Sequence, residues 1–192
     1  MTGGLSASGS FALPVAISGP RDPANGHAGV RPRAAHPVAT PRYIAETMLP
    51  AARRGAAKAG RDMARFTMCV KPLVAAALDR AGLAMRVREV RARVAFYAST
   101  PVYLAVFDKE GYGEVARALQ SHARAQRWEE MPGLITDEML VAYAVVGTYD
   151  EIAAQLHRRY GHLATSLEFA VPPPGDIDDS VRRGLIDSLR TG

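Results

Sequence analysis

Residues 143–163 read Y-A-V-V-G-T-Y-D-E-I-A-A-Q-L-H-R-R-Y-G-H-L, and the fold is decided here. An apolar run from Tyr143 to Val146 meets Gly147 and then Thr148, three residues before Glu151. A threonine that caps the helix N-terminus and a glutamate that reaches back to the cap N–H make a capping box. A helix is therefore predicted to start just after Thr148. Ile152, Leu156 and Tyr160 repeat every four residues and share one face of it, with Gly161 expected as a left-handed stop. Residues 165–171, T-S-L-E-F-A-V, then alternate with β-branched and aromatic residues until Pro172, Pro173 and Pro174 end the run. Extended segment, capped helix, strand is one repeat of an α/β protein.

Working outward, Thr136 followed by Asp137 and Glu138 caps a short helix through Tyr143, and the two acids complement the helix dipole. Tyr112, Val115, Leu119 and His122 mark another helix, leading toward Trp128. The longest helical segment is expected between Ala75 and Ala98, with Leu83, Val87, Val90, Val94 and Tyr97 as its apolar stripe. Thr-Pro pairs at 40–41 and 100–101 start helices, because threonine caps well and proline has no N–H to waste at the first helical position. Pro50 must kink the first of these helices or begin a new one, and Gly60 ends it. F-T-M-C-V-K-P-L-V at 66–74 reads as a parallel core strand broken near Pro72. Residues 12–17 read as a short edge strand, followed by a turn at Ser18, Gly19, Pro20 and Arg21. Residues 22–39 show no periodicity and no aromatic residue, so no core-forming face is expected there. Asp176 is expected to cap a last helix striped by Ile177, Val181, Leu185 and Leu189.

Composition narrows the classes. The chain has 192 residues, enough for one ordinary core but short of the roughly 250 of a complete eight-fold barrel. No apolar run approaches a membrane span and no signal-peptide pattern opens the chain, so a cytoplasmic protein with no membrane partner is expected. The single cysteine, Cys69, stands in an apolar run and reads as a buried strand thiol; cysteine-based zinc is excluded. His122 lacks a second ligand at helical spacing, so no metal is expected. Of the net charge of +5, residues 1–71 carry +7 (ten Lys and Arg, three acids) and residues 72–192 carry −2 (fourteen against sixteen). The basic residues are not interleaved with aromatics, and no helix-turn-helix signature is present, so nucleic acid is not expected as a partner.

Four collinear segments carry a resemblance: T-P-R-Y-I-A-E-T-M-L-P at 40–50, A-F-Y-A-S-T-P-V-Y at 95–103, L-I-T-D-E-M-L at 134–140 and A-V-V-G-T-Y-D-E-I-A at 144–153. Together they resemble the luciferase-like monooxygenase superfamily, and within it the oxidoreductases that depend on a deazaflavin hydride carrier. The resemblance implies the C-terminal part of a helix-rich α/β fold, a partial (β/α)8 TIM barrel. Residues 12–21 would be the sixth strand with its Gly-Pro turn, and residues 165–171 the last. Residues 1–39 then form a poorly structured N-terminal segment with one strand, residues 40–171 the barrel portion, and residues 172–192 a tail with a short amphipathic helix. The family's first five strands, which carry the floor under the cofactor ring, have no counterpart. Residues 22–39 depart from the family pattern in the way a local reading-frame change at preserved length would produce.

The resemblance implies an oxidoreductase in which a deazaflavin coenzyme, or alternatively FMN, exchanges hydride with a small-molecule substrate. Barrel phosphate sites lie at the carboxyl ends of late strands. The cofactor-binding candidates are therefore Gly19 and Arg21 after the sixth strand and His36 and Thr40 after the seventh; no catalytic residue is assigned. The alternative is a non-catalytic interaction module, a half barrel whose open edges need a partner chain or a second copy.

Overall fold

The structure, a computed structural model, describes residues 33–168 and 178–191. Its strands all pair in parallel. β1 (Arg33–Ala35), β2 (Met68–Val70) and β5 (Ser166–Leu167) form one sheet in the order β1-β2-β5, and β3 (Leu73–Ala77) pairs with β4 (Ala144–Thr148) in another. Parallel neighbours need long crossovers, and helices supply them. Pro72 separates β2 from β3, as expected of a residue that cannot donate to a ladder. The break does more than interrupt one strand, because the chain leaves one sheet there and enters the other.

The stretch at 143–163 folds largely as its pattern dictates. Thr148 and Glu151 form the capping box, with the Thr148 N–H donating to Glu151 Oε2 at 2.8 Å, and α7 spans Tyr149–Tyr160. Ile152, Leu156 and Tyr160 are buried. Gly161 differs from expectation: its φ of −58° and ψ of −31° are right-handed. A Cβ there would lie 2.7 Å from the His157 carbonyl oxygen. Close approach to backbone, not a left-handed turn, is what favours glycine. Leu163 and Ala164 then both donate to the Tyr160 carbonyl. Of the expected final strand, residues 169–171 lie outside the described residues, as do Asp176 and Ile177. The last helix, α8 (Asp179–Thr191), docks on α7 within the same chain, with Leu185 buried and Val181, Ile186 and Leu189 packed into the same cluster.

The Thr40 cap starts α1 (Pro41–Tyr43), which continues through a π-turn (Ile44–Met48) into α2 (Leu49–Lys58). Leu49 N–H reaches back five residues to the Ile44 carbonyl just before Pro50, so the wider turn absorbs the proline and the helical path is not broken. Gly60 ends it at φ +61°.

Three further expectations are corrected. The part of 22–39 that is described has a core face after all: β1 pairs with β2, and Ala35, Val38 and Ala39 are buried. A strand of only three residues offers no apolar alternation to detect. The helix expected from Ala75 starts only at Arg80, capped by Asp79, as α3 (Arg80–Ala98). Residues 75–77 instead pair with β4, where tertiary pairing overrides alanine's helix propensity. The stripe itself holds, since Leu83, Val90 and Val94 are buried. The Thr100 hydroxyl donates back to the Phe96 carbonyl at 3.1 Å and makes no cap bond, and Pro101–Tyr103 form a 3₁₀ turn before α4 (Leu104–Lys109).

Two cores result. The first lies between β3, β4 and α3 and takes in α4, α5 (Gly113–Arg124) and α6 (Asp137–Tyr143), around Phe107, Leu119, Met139 and Tyr143. The second joins β1 and β2 to α7 and α8 through Ile44, Val70, Ile152, Leu156 and Tyr160. Cys69 is buried in β2, as its neighbours imply. Among the described residues no helix is long and apolar enough to cross a membrane.

Candidate functional site

Because β1, β2 and β5 run in parallel, their carboxyl ends open on one side of the sheet. The first residue past each is polar: His36 after β1, Lys71 after β2 and Glu168 after β5. In barrel folds that end carries the chemistry. A cleft of about 500 Å³ lies there, lined by Ala35, His36, Tyr43 and Lys71 and by Val102, Tyr103 and Val106 from the segment that folds over them. The volume falls within the range of small-molecule sites, and the lining is mostly apolar and aromatic with a few polar groups, as such sites are.

His36 is held by two rings. Tyr103 stacks on it with centroids 4.0 Å apart at 27°, and Tyr97 meets it edge-on at 4.7 Å. Its Nδ1 is buried without a hydrogen-bond partner. Burial holds the imidazole pKa below its ordinary value, so the ring is neutral at pH 7. Lys71 Nζ lies 2.7 Å from Glu168 Oε2. The ammonium has three N–H donors, so this ion pair leaves part of its capacity over.

Thr40 sits behind this wall, 3% exposed. Its hydroxyl accepts from the Tyr43 N–H at 3.1 Å and donates to Glu110 Oε1 at 2.5 Å. Two neighbouring contacts tie the same helices: Arg42 donates to the Lys109 carbonyl at 2.9 Å, and Lys109 Nζ meets Glu46 at 2.6 Å. The Lys109 ammonium holds the Glu46 carboxyl below its usual pKa. These bonds fasten the helix after β1 to the end of α4, and α4 carries the segment that lays Tyr103 over His36. Deeper in, the Tyr143 hydroxyl is buried without a partner. Burial, with the charge of Glu110 adding, raises its pKa.

Of the four sequence candidates, Gly19 and Arg21 lie outside the described residues. His36 lines the cleft, while Thr40 is near it in the chain and engaged as cap and latch. Lys71, Glu168, Tyr43, Tyr103 and Glu110 were not singled out from sequence. A polar residue directly after an apolar strand run was the available signal for Lys71 and Glu168, but it gains meaning only once parallel register aligns the strand ends. His122 is a helix-surface histidine, with Nδ1 2.9 Å from the Ala118 carbonyl. Among the described residues no group of three His, Cys, Asp or Glu side chains could hold a metal.

Comparison with known proteins places the cleft in context. A family model for luciferase-like monooxygenases matches residues 9–166. Uncharacterized proteins of Mycobacterium tuberculosis and Mycobacterium bovis are 41% identical over 136 residues, which cover 71% of this chain and 38% of each relative. The chain thus spans well under half the length of these curated relatives. Among solved structures, the coenzyme F420 dependent tetrahydromethanopterin reductase of Methanopyrus kandleri superposes with a TM-score of 0.54 at 17% identity, over 77% of this chain and 40% of that one. The superposition shows a shared fold, with this chain matching a part of it. The match over most of the sequence and the parallel, helix-covered strands agree, and the chain belongs to the luciferase-like monooxygenase family.

Proposed function

We propose that this chain forms the C-terminal wall of the active site of an oxidoreductase that uses a deazaflavin coenzyme, or alternatively FMN, as hydride carrier. The observation that carries the reading is the cleft at the carboxyl ends of β1 and β2, lined by the rings of His36, Tyr43 and Tyr103, with the imidazole neutral. The stacked pair of His36 and Tyr103, beside Tyr43, gives the cleft an aromatic lining that fits a planar heterocycle or a flat substrate. A cofactor phosphate is fitted less well by the described residues, since Arg42 and Lys109 both contact Glu46. Its holders are proposed to be Gly19 and Arg21, with His36 contacting the ring and Thr40 fixing the helix that follows His36. When bound, the carrier supplies hydride chemistry; the chain's residues orient it, exclude water and hold the substrate. The substrate is proposed to be a small molecule and the location cytoplasmic.

The second reading is a non-catalytic module that pairs with another chain. Phe96, Val102, Trp128 and Val141, all at least half exposed, favour it. Titrating the purified chain against deazaflavin coenzyme and FMN separates the two. Saturable fluorescence quenching that weakens in a His36→Ala variant supports the first. No quenching, with a stable oligomer in solution, sinks it and leaves the second.

A further inference from the structure

The geometry points to Lys71 as the specificity-determining residue of the cleft, donating to the carbonyl oxygen of a flat, neutral ligand whose body lies against His36 and Tyr103. This rests on the reading of the cleft as a ligand site. Three observations converge on it. Lys71 lines the cleft on the strand-end side, where the other lining groups apart from His36 are apolar or aromatic. Its ammonium is tied at 2.7 Å to Glu168, which stands at the end of the adjacent strand in register with it: Val70 pairs with Leu167, and the Glu168 N–H donates to the Val70 carbonyl. The pair is part-exposed, with the lysine side chain 40% and the glutamate side chain 33% accessible, so the ammonium is oriented without being sealed off.

The sign of the local charge selects the ligand. One N–H of Lys71 goes to Glu168 and two remain, so the lysine can still donate. Its charge, however, is cancelled by the carboxylate beside it, and His36 is neutral because burial opposes its protonation. The cleft therefore offers donors at no net positive charge. A carboxylate or phosphate entering there meets Glu168 as well as Lys71 and gains little; a neutral carbonyl oxygen takes the donor and meets no like charge. The apolar remainder of the ligand is recognised by the rings of His36 and Tyr103 and by Val102 and Val106.

The test needs no cofactor, so its failure is distinct from a failed coenzyme titration. The full chain is titrated with 2-acetylnaphthalene, 2-ethylnaphthalene and 2-naphthoate, following the His36 imidazole proton resonances. The ketone is expected to bind about tenfold more tightly than the hydrocarbon, the ratio expected of one hydrogen bond from a charged donor, and more tightly than the naphthoate. Lys71→Met removes the ketone preference and keeps the hydrocarbon affinity. Glu168→Gln leaves an uncompensated ammonium and turns the preference toward naphthoate, a gain that a misfolded variant cannot produce. Equal binding of ketone and hydrocarbon by the wild-type chain, a wild-type preference for naphthoate, a ketone preference that survives in Lys71→Met, or no shift at His36 with any probe overturns the inference.

Discussion

Replacing Thr40 by valine keeps the side-chain shape and deletes the hydroxyl that both caps the helix after β1 and holds Glu110. The cap bond to the Tyr43 N–H contributes about 1 kcal/mol. The bond to the Glu110 carboxylate, made from a residue only 3% exposed, contributes about 1.5–3 kcal/mol, as hydrogen bonds to charged groups do. Glu110 is half-buried, so water recovers part of its loss, and a net cost of about 2–3 kcal/mol is expected. For a chain of this size that corresponds to a fall in Tm of roughly 4–12 °C. Thr40→Ser keeps both bonds and gives up one methyl, about 0.8 kcal/mol. Urea unfolding followed by far-UV circular dichroism measures these values, provided the slope m is unchanged. The His36 ring resonances should also move in Thr40→Val, because the latch sets Tyr103 over His36. If valine costs less than about 1 kcal/mol, or serine costs as much as valine, the latch is not a stabilising contact.

Three further outcomes are expected. Gly147→Ala should cost about 1–2 kcal/mol, because a Cβ there would stand 2.8 Å from Glu151 Oε2 and 2.6 Å from Gln155 Nε2, displacing the carboxylate that caps α7 and pairs with Arg80; a thermal melt within error of wild type would refute this. Arg159 donates to the carbonyls of Val141, Ala142 and Ala144 at the end of α6, so Arg159→Met should lose about 2–4 kcal/mol and Arg159→Lys about half of that, read by the same unfolding assay. His36 has a folded pKa below its unfolded value of about 6.5, so the unfolded chain binds the proton more readily and stability falls as pH drops below about 6.5. Across pH 7.5 to 5, His36→Gln should flatten that fall; an unchanged profile would show that the ring is not protected from protonation.

Much of the architecture was legible in local pattern. The capping box at Thr148 and Glu151 and the Thr40-Pro41 start rest on backbone groups satisfied within a few residues, the α3 stripe on helical spacing and the break at Pro72 on a residue with no N–H to donate, so sequence carries them. β1 is not legible because it is only three residues long and offers no apolar alternation, and the alanines of β3 read as helical although β4 pairs with them. His36 and Thr40 stand out through the resemblance, whereas Lys71, Glu168, Tyr103 and Glu110 come from segments 35 to 132 positions away from His36, with Tyr43 the near exception.

Sequence by itself determined most of the helices and where most of them begin, and to which family the order of segments is akin. Tertiary structure alone decided that three parallel strands end side by side, that Glu168 neutralises Lys71, and that Tyr103 lies on His36. Helix caps and stripes are set by neighbours along the chain. A cleft is set by register between strands and by which helix folds back over their ends, and no local spacing encodes that.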